Sequence, residues 1–165
     1  MTEQIKKIRE FMSKDEALIQ LAEEANELAI ESFKINNKAK YAEYIDRFIT
    51  NDFLEEIADV KLCIDIVGDY NCTNTRNYKL FKKLVKYCCE LSKAAIKLRR
   101  TLVNTSPTPV SKEEAEEKFI EAIINVKSCI NAMGDYWDCK TVNDIYFEKA
   151  NRCINRMIEN NISKG

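Results

Sequence analysis

The chain contains no histidine. That absence removes Ser-His and Cys-His nucleophilic schemes, imidazole general bases and every His-containing zinc site. Glycine and proline are almost as scarce, at 3 and 2 of 165 residues, against roughly 7% and 5% on average. So few breakers argue against a loop-rich β-sandwich or barrel and against a Gly-rich phosphate loop. The 7 cysteines, an odd count, include no C-x-x-C pair, and Cys88 and Cys89 are adjacent. They read as reduced thiols used as small apolar residues, which points to the cytoplasm. No stretch approaches about 18 uncharged apolar residues, and the opening MTEQIKKIREFMSK has no apolar run. Neither a membrane span nor a secretion signal is expected. A surplus of one charge is also missing. Lys+Arg 26 against Asp+Glu 27 gives a net charge of -1, with no basic field for duplex nucleic acid.

What remains is 45% hydrophobic and 32% charged, the material of amphipathic helices around a buried core. The length suits one domain, so residues 1–165 are read as a single all-α domain. The first helix is expected from Glu3 to about Met12. Ser13-Lys14-Asp15-Glu16 is a capping box, opening a second helix with Leu18, Leu21, Ala22, Ala25, Leu28 and Ala29 at helical spacing. Asn36-Asn37 weakens its end. A third helical segment spans roughly Tyr41 to Val67, with a break near Thr50-Asn51 and a stop at Gly68. A fourth runs from about Asn77 to Leu102. Pro107 and Pro109 mark the one clear loop. Ser111-Lys112-Glu113-Glu114 is a second capping box, opening a fifth helix to about Met133. Thr141-Val142-Asn143-Asp144 caps a last helix to about Asn160.

The chain repeats itself. FLEEIADVKLCIDIVGDY (53–70) and FIEAIINVKSCINAMGDY (119–136) share ten positions, including the terminal Gly-Asp-Tyr. A weaker match pairs LAEEANEL (21–28) with LVKYCCEL (84–91) and sets Lys34 opposite Lys97. The expected architecture is a bundle of two fused, repeat-related helical hairpins, about 15–70 and about 78–136.

The first copy carries carboxylates at two helical spacings. Glu24 and Glu27 share a face at i, i+3, and Glu56 and Asp59 do the same on the next long helix. They border the apolar stripe: Leu21 and Leu28 flank Glu24, and Phe53 and Val60 flank Glu56. Packed antiparallel, these helices would bring four acids into one cleft, which is unfavourable without a cation. Hard oxygen ligands suit Mg²⁺ or Mn²⁺, and such a cluster can hold a triphosphate and activate water for attack on phosphorus. The second copy has Tyr87, Glu90, Ala122 and Asn125 at the matching places, so it is not expected to hold the same metals. Tyr70, Tyr136 and Trp137 end helices and read as lids on the core rather than as stacking platforms for a base.

With Glu23, Glu24, Glu27, Glu56 and Asp59, the chain resembles the MazG-like and dimeric-dUTPase-like family of all-α nucleoside triphosphate pyrophosphohydrolases. That family is marked by E-E-x-x-E, a variable loop and E-x-x-D in paired helices. ELSKAAIKLRR (90–100) and NTSPTPVSKEEAEE (104–117) resemble its phage-type branch, and together the matches cover most of 15–136. The resemblance implies Mg²⁺-dependent hydrolysis of a nucleoside triphosphate between the α and β phosphates, giving a monophosphate and pyrophosphate, in a nucleotide-pool role. Glu24, Glu27, Glu56 and Asp59 would hold Mg²⁺, with Mn²⁺ as a substitute, and one of them would orient the water. Lys34 remains from the first copy's basic cluster, with Asn36 and Asn37 where arginines are expected. Lys97, Arg99 or Arg100 of the second copy would reach a phosphate tail across the pseudo-dimer interface, or give structural support only. The nucleotide is the expected partner, with no duplex nucleic acid or membrane, and the chain is expected as a monomer or homodimer. Two other readings stand beside this one: a fold that holds a nucleotide without turning it over, and a helical adaptor with no ligand.

Overall fold

Side-chain caps set where the helices begin. In the computed structural model, which describes residues 2–39, 46–70, 80–103, 110–134 and 137–162, Thr2 Oγ1 accepts from Ile5 N at 3.4 Å and starts α1 (Glu3–Phe11). The Ser13 box closes in both directions: Ser13 Oγ accepts from Glu16 N at 3.2 Å, and Ser13 N donates to Glu16 Oε2 at 2.9 Å. It starts α2 (Lys14–Ala39). After a 3₁₀ turn at Asp46–Phe48, Thr50 Oγ1 accepts from Phe53 N at 3.2 Å and starts α3 (Asn51–Val67). The remaining helices are α4 (Leu80–Val103), α5 (Lys112–Ala132) and α6 (Cys139–Ile162). The described residues contain these six α-helices and no strand. Ser13→Ala is expected to cost about 1 kcal/mol, a fall in Tm of roughly 2–4 °C for a chain of this size. An unchanged melting curve would show that the cap carries nothing.

Several boundaries differ from those expected. Asn36-Asn37, expected to weaken α2, lies inside it, and the helix continues to Ala39, because asparagine near a helix terminus costs only a few tenths of a kcal/mol. The second capping box is only half formed by its acid: Ser111 Oγ accepts from Glu114 N at 3.1 Å, while the Glu114 carboxylate pairs with Lys118. The last helix starts two residues before Thr141, since Asp138 accepts from Lys140 N at 2.9 Å. The expected helical starts at Tyr41 and Asn77, the Pro107–Pro109 loop and Tyr136 lie outside the described residues.

The helices pack antiparallel. Lys34 feels the charges of Asp52 and Glu56 while Glu24 feels Asp59, so α3 runs back along α2. Cys129 Sγ donates to Leu80 O at 3.4 Å, joining the start of α4 to the end of α5. Asp15 and Arg99 meet at 2.7 Å, joining the start of α2 to the end of α4. The α2–α4 contact is the most extensive, with α3 on the far side of α2, α5 beside α4, and α1 and α6 closing on α3. One buried cluster links all six helices, through residues such as Ile8, Leu28, Ile64, Leu91, Ile123 and Ala150. Phe53 sits in it with Phe81 at 5.6 Å and the Trp137 edge at 5.8 Å. Tyr70 stands edge-on to Phe119 at 6.3 Å. The described helix-end aromatics are thus engaged in packing. Arg9 of α1 clasps the end of α3 by donating to Ile66 O at 3.0 Å and to Asp65 O, supplying partners to carbonyls a helix terminus leaves open. A Cβ at Gly68 would meet the tip of the Tyr70 ring at 2.8 Å, so any other residue at this stop requires that ring to move. The six described cysteines are free thiols, and no helix of the described residues is long and apolar enough to cross a membrane.

Candidate metal centre

The α2–α3 hairpin brings three carboxylates together. Glu24, Glu27 and Glu56 each present an oxygen, and these oxygens lie within 4.8 Å of one another. The placement follows from the helical pattern. Ala25 and Leu28 on α2 and Ile57 and Val60 on α3 are buried, so the acids beside them stand at the rim of the packed seam. Glu24 and Glu56 are half-buried and Glu27 is exposed.

The electrostatics of the cluster are unfavourable as it stands. Burial pushes the Glu24 carboxyl up to about 7, helped by the charges of Asp59 and Glu27. Burial likewise pushes Glu56 up to about 7, with Glu27, Asp59 and Glu24 adding to it. Glu56 Oε2 is fully buried and has no hydrogen-bond partner among the described residues. A buried carboxylate oxygen without a donor costs free energy, and a cation supplies what is missing. Three hard oxygen donors and one unpartnered buried oxygen fit Mg²⁺ or Mn²⁺.

Asp59, the fourth acid of the sequence motif, has another partner. Lys149 of α6 donates to Asp59 Oδ2 and lies 3.8 Å from Glu55. The Lys149 side chain is only 15% exposed and that of Asp59 19%, so this pair is largely screened from water. Burial raises the Asp59 carboxyl, and the Lys149 hydrogen bond opposes it. Below the cluster the Cys63 thiol is pushed well above its ordinary value by burial and by Glu24 and Asp59, which leaves it an inert packing group. Lys149 was invisible to motif reading. Its one signal is a lysine inside the apolar stripe of the last helix, between Tyr146, Ala150 and Ile154, all buried.

The expected phosphate contacts divide. Lys34 feels an acid of the cluster: its bond to Glu31 raises its pKa most, and the charges of Asp52 and Glu56 add to that. Arg99 is engaged by Asp15. Its Nε approaches Oδ1 at 2.7 Å without hydrogen-bond alignment, and an NH2 group donates to Oδ2 at 3.4 Å. Arg100 is exposed. Lys97 lines a cleft between α4 and α5 that none of the α2 or α3 acids lines. Comparison of the chain with protein-family models, with curated proteins and with solved structures finds no match.

Proposed function

We propose that the protein is a Mg²⁺-dependent nucleoside triphosphate pyrophosphohydrolase of the MazG-like kind, releasing a monophosphate and pyrophosphate. The convergence of Glu24, Glu27 and Glu56 around the unpartnered Glu56 oxygen carries this reading. On it, the α2–α3 and α4–α5 hairpins are two copies of one unit, and only the first keeps all four acids. Glu24, Glu27 and Glu56 would hold the cation, with Mn²⁺ as a substitute. A bound divalent cation neutralises phosphate charge and lowers the pKa of its water. Asp59 and Lys149 steady the rear wall: the Lys149 hydrogen bond opposes the rise that burial gives the Asp59 carboxyl and fixes it beside Glu24. Lys34, toward the end of the same hairpin where α2 connects to α3, would meet a phosphate tail once that tail competes with Glu31. Catalysis of this kind rests mostly on positioning and charge neutralisation.

The test is a panel of canonical and modified NTPs and dNTPs incubated with the protein and Mg²⁺, followed for both products. Expected is stoichiometric pyrophosphate from one or a few nucleotides, abolished by EDTA and by Glu27→Gln, with the variant's melting curve intact. Normal activity in both Glu27→Gln and Asp59→Asn would sink the assignment. A second reading, a nucleotide held without turnover, draws on the Asp59–Lys149 pair, which leaves three carboxylates instead of four for a cation. Stoichiometric binding with no pyrophosphate anywhere in the panel would select it.

A further inference from the structure

The α4–α5 hairpin has a cleft of its own, of about 330 Å³, at the lower end of the size range of small-molecule sites. Its lining includes sequence positions that match the acidic centre, with lysines added and two acids retained, Glu90 at the place of Glu27 and Glu121 at the place of Glu55. Where α2 and α3 carry Glu27, Glu56 and Asp59, the cleft has Glu90, Ala122 and Asn125. Where they carry Ile30 and Asp52, it has Lys93 and Lys118, and Lys97 stands at the place of Lys34. Replacing Glu56 by alanine hollows the wall and removes the buried acid.

Three lysines therefore line one concavity, against two acids, Glu90 and Glu121, so the lysines are in excess by one charge. Lys93 and Lys97 are i, i+4 on α4, a spacing at which like charges repel, and neither forms an ion pair among the described residues. Lys118 approaches from α5 and holds one acid, Glu114. Glu90, the acid retained from the motif, lies 3.6 Å from Lys86 on the same helix. The floor is apolar and nearly closed to water: Ala94, Ala115 and Ala122 are 8%, 2% and 6% exposed. Asn125 adds a side chain that both donates and accepts. Lysines arranged around an apolar floor suit a ligand with an anionic end and an uncharged body.

We infer that the α4–α5 cleft is a metal-independent binding site for a small organic phosphate, with Lys93, Lys97 and Lys118 on the phosphate. The uncharged body lies against Ala94, Ala115 and Ala122, and Asn125 hydrogen-bonds a heteroatom of it. The inference does not depend on hydrolysis at the α2–α3 acids, and binding needs no divalent cation. A phosphate there relieves the repulsion between Lys93 and Lys97, and its affinity falls as salt rises.

The test is calorimetric titration of the full chain in EDTA with adenosine 5′-monophosphate and, separately, inorganic phosphate. The expected result is saturable nucleotide binding at least tenfold tighter than that of inorganic phosphate. Lys93→Ala combined with Lys97→Ala weakens it at least tenfold, while Glu27→Gln leaves it unchanged. Both lysines are exposed, so the double variant is expected to melt like the parent. A charge-retaining Lys93→Arg variant, which keeps binding within a few fold, separates loss of charge from loss of fold. Absence of binding, binding insensitive to the lysine pair, or binding no tighter than that of inorganic phosphate would each overturn the inference. Loss of binding in Glu27→Gln would also overturn it, by assigning the nucleotide to the acidic centre.

Discussion

Metal-free protein is expected to lose stability as the pH rises from about 4.5 to about 7, and to recover it above that range when Mg²⁺ is added. Glu24 and Glu56 have folded-state values of about 7 against an ordinary 4.5. In that window the folded chain holds protons that the unfolded chain has released, so stability falls with rising pH. It is fully present below about 4.5 and spent above about 7. Both groups keep partial access to water, so the pair is worth on the order of 2 kcal/mol after screening. That corresponds to roughly 4–8 °C in Tm. Glu56→Gln takes one ionisable group out of the cluster and gives its buried oxygen no charge to carry. In EDTA at pH 8 the variant is expected to melt above the parent. The same substitution removes a ligand, so the rise in Tm that Mg²⁺ gives the parent is lost. Melting curves at pH 5 and pH 8, with and without Mg²⁺, check all of this. A flat profile in EDTA would mean the three carboxylates do not crowd one another.

Lys149→Met carries the second large effect. The methionine keeps an apolar stem of similar length without the ammonium, so Asp59 is left half-buried without its donor. Breaking a buried pair from one side costs about 3–5 kcal/mol, and the residual exposure of both side chains puts this case near the lower figure. A fall in Tm of roughly 6–12 °C is expected in EDTA. Adding Asp59→Asn to Lys149→Met removes the stranded charge and restores most of it. In Mg²⁺ the single variant should recover more stability than the parent gains, because Asp59 is then free to join Glu24, Glu27 and Glu56. Equal gains would show that Asp59 does not reach the cation. A loss that Asp59→Asn fails to restore would assign Lys149 a packing role alone.

Local chemistry was legible in the sequence, and distant chemistry was not. Ser13 and Glu16 announce a helix start within four residues, and the bonds they make are with each other. Glu24, Glu27 and Glu56 could be found because helical spacing and one hairpin suffice to bring them together. Asp59 fits the same motif, but its partner comes from α6, where nothing near Lys149 signals a carboxylate. Arg99 is similar: a basic residue at a helix end reads as a phosphate contact, and only the antiparallel packing of α2 on α4 brings Asp15 to it. The sequence shows that the second copy lacks three of the four motif acids, but not that it forms a cleft. That three lysines gather round the gap depends on how two helices face each other.

The separation of the partners along the chain gives the Lys149 contact a further meaning. Lys149 follows Asp59 by 90 residues, so the contact closes a far longer loop than the α2–α3 hairpin does. The carboxylates meet through one short connection, whereas this counter-charge is present only while α6 is seated on α3. An opening of α6 that left α2 and α3 in place would strip Asp59 of its donor, so the balance of charge at the cluster is tied to how firmly the last helix is held.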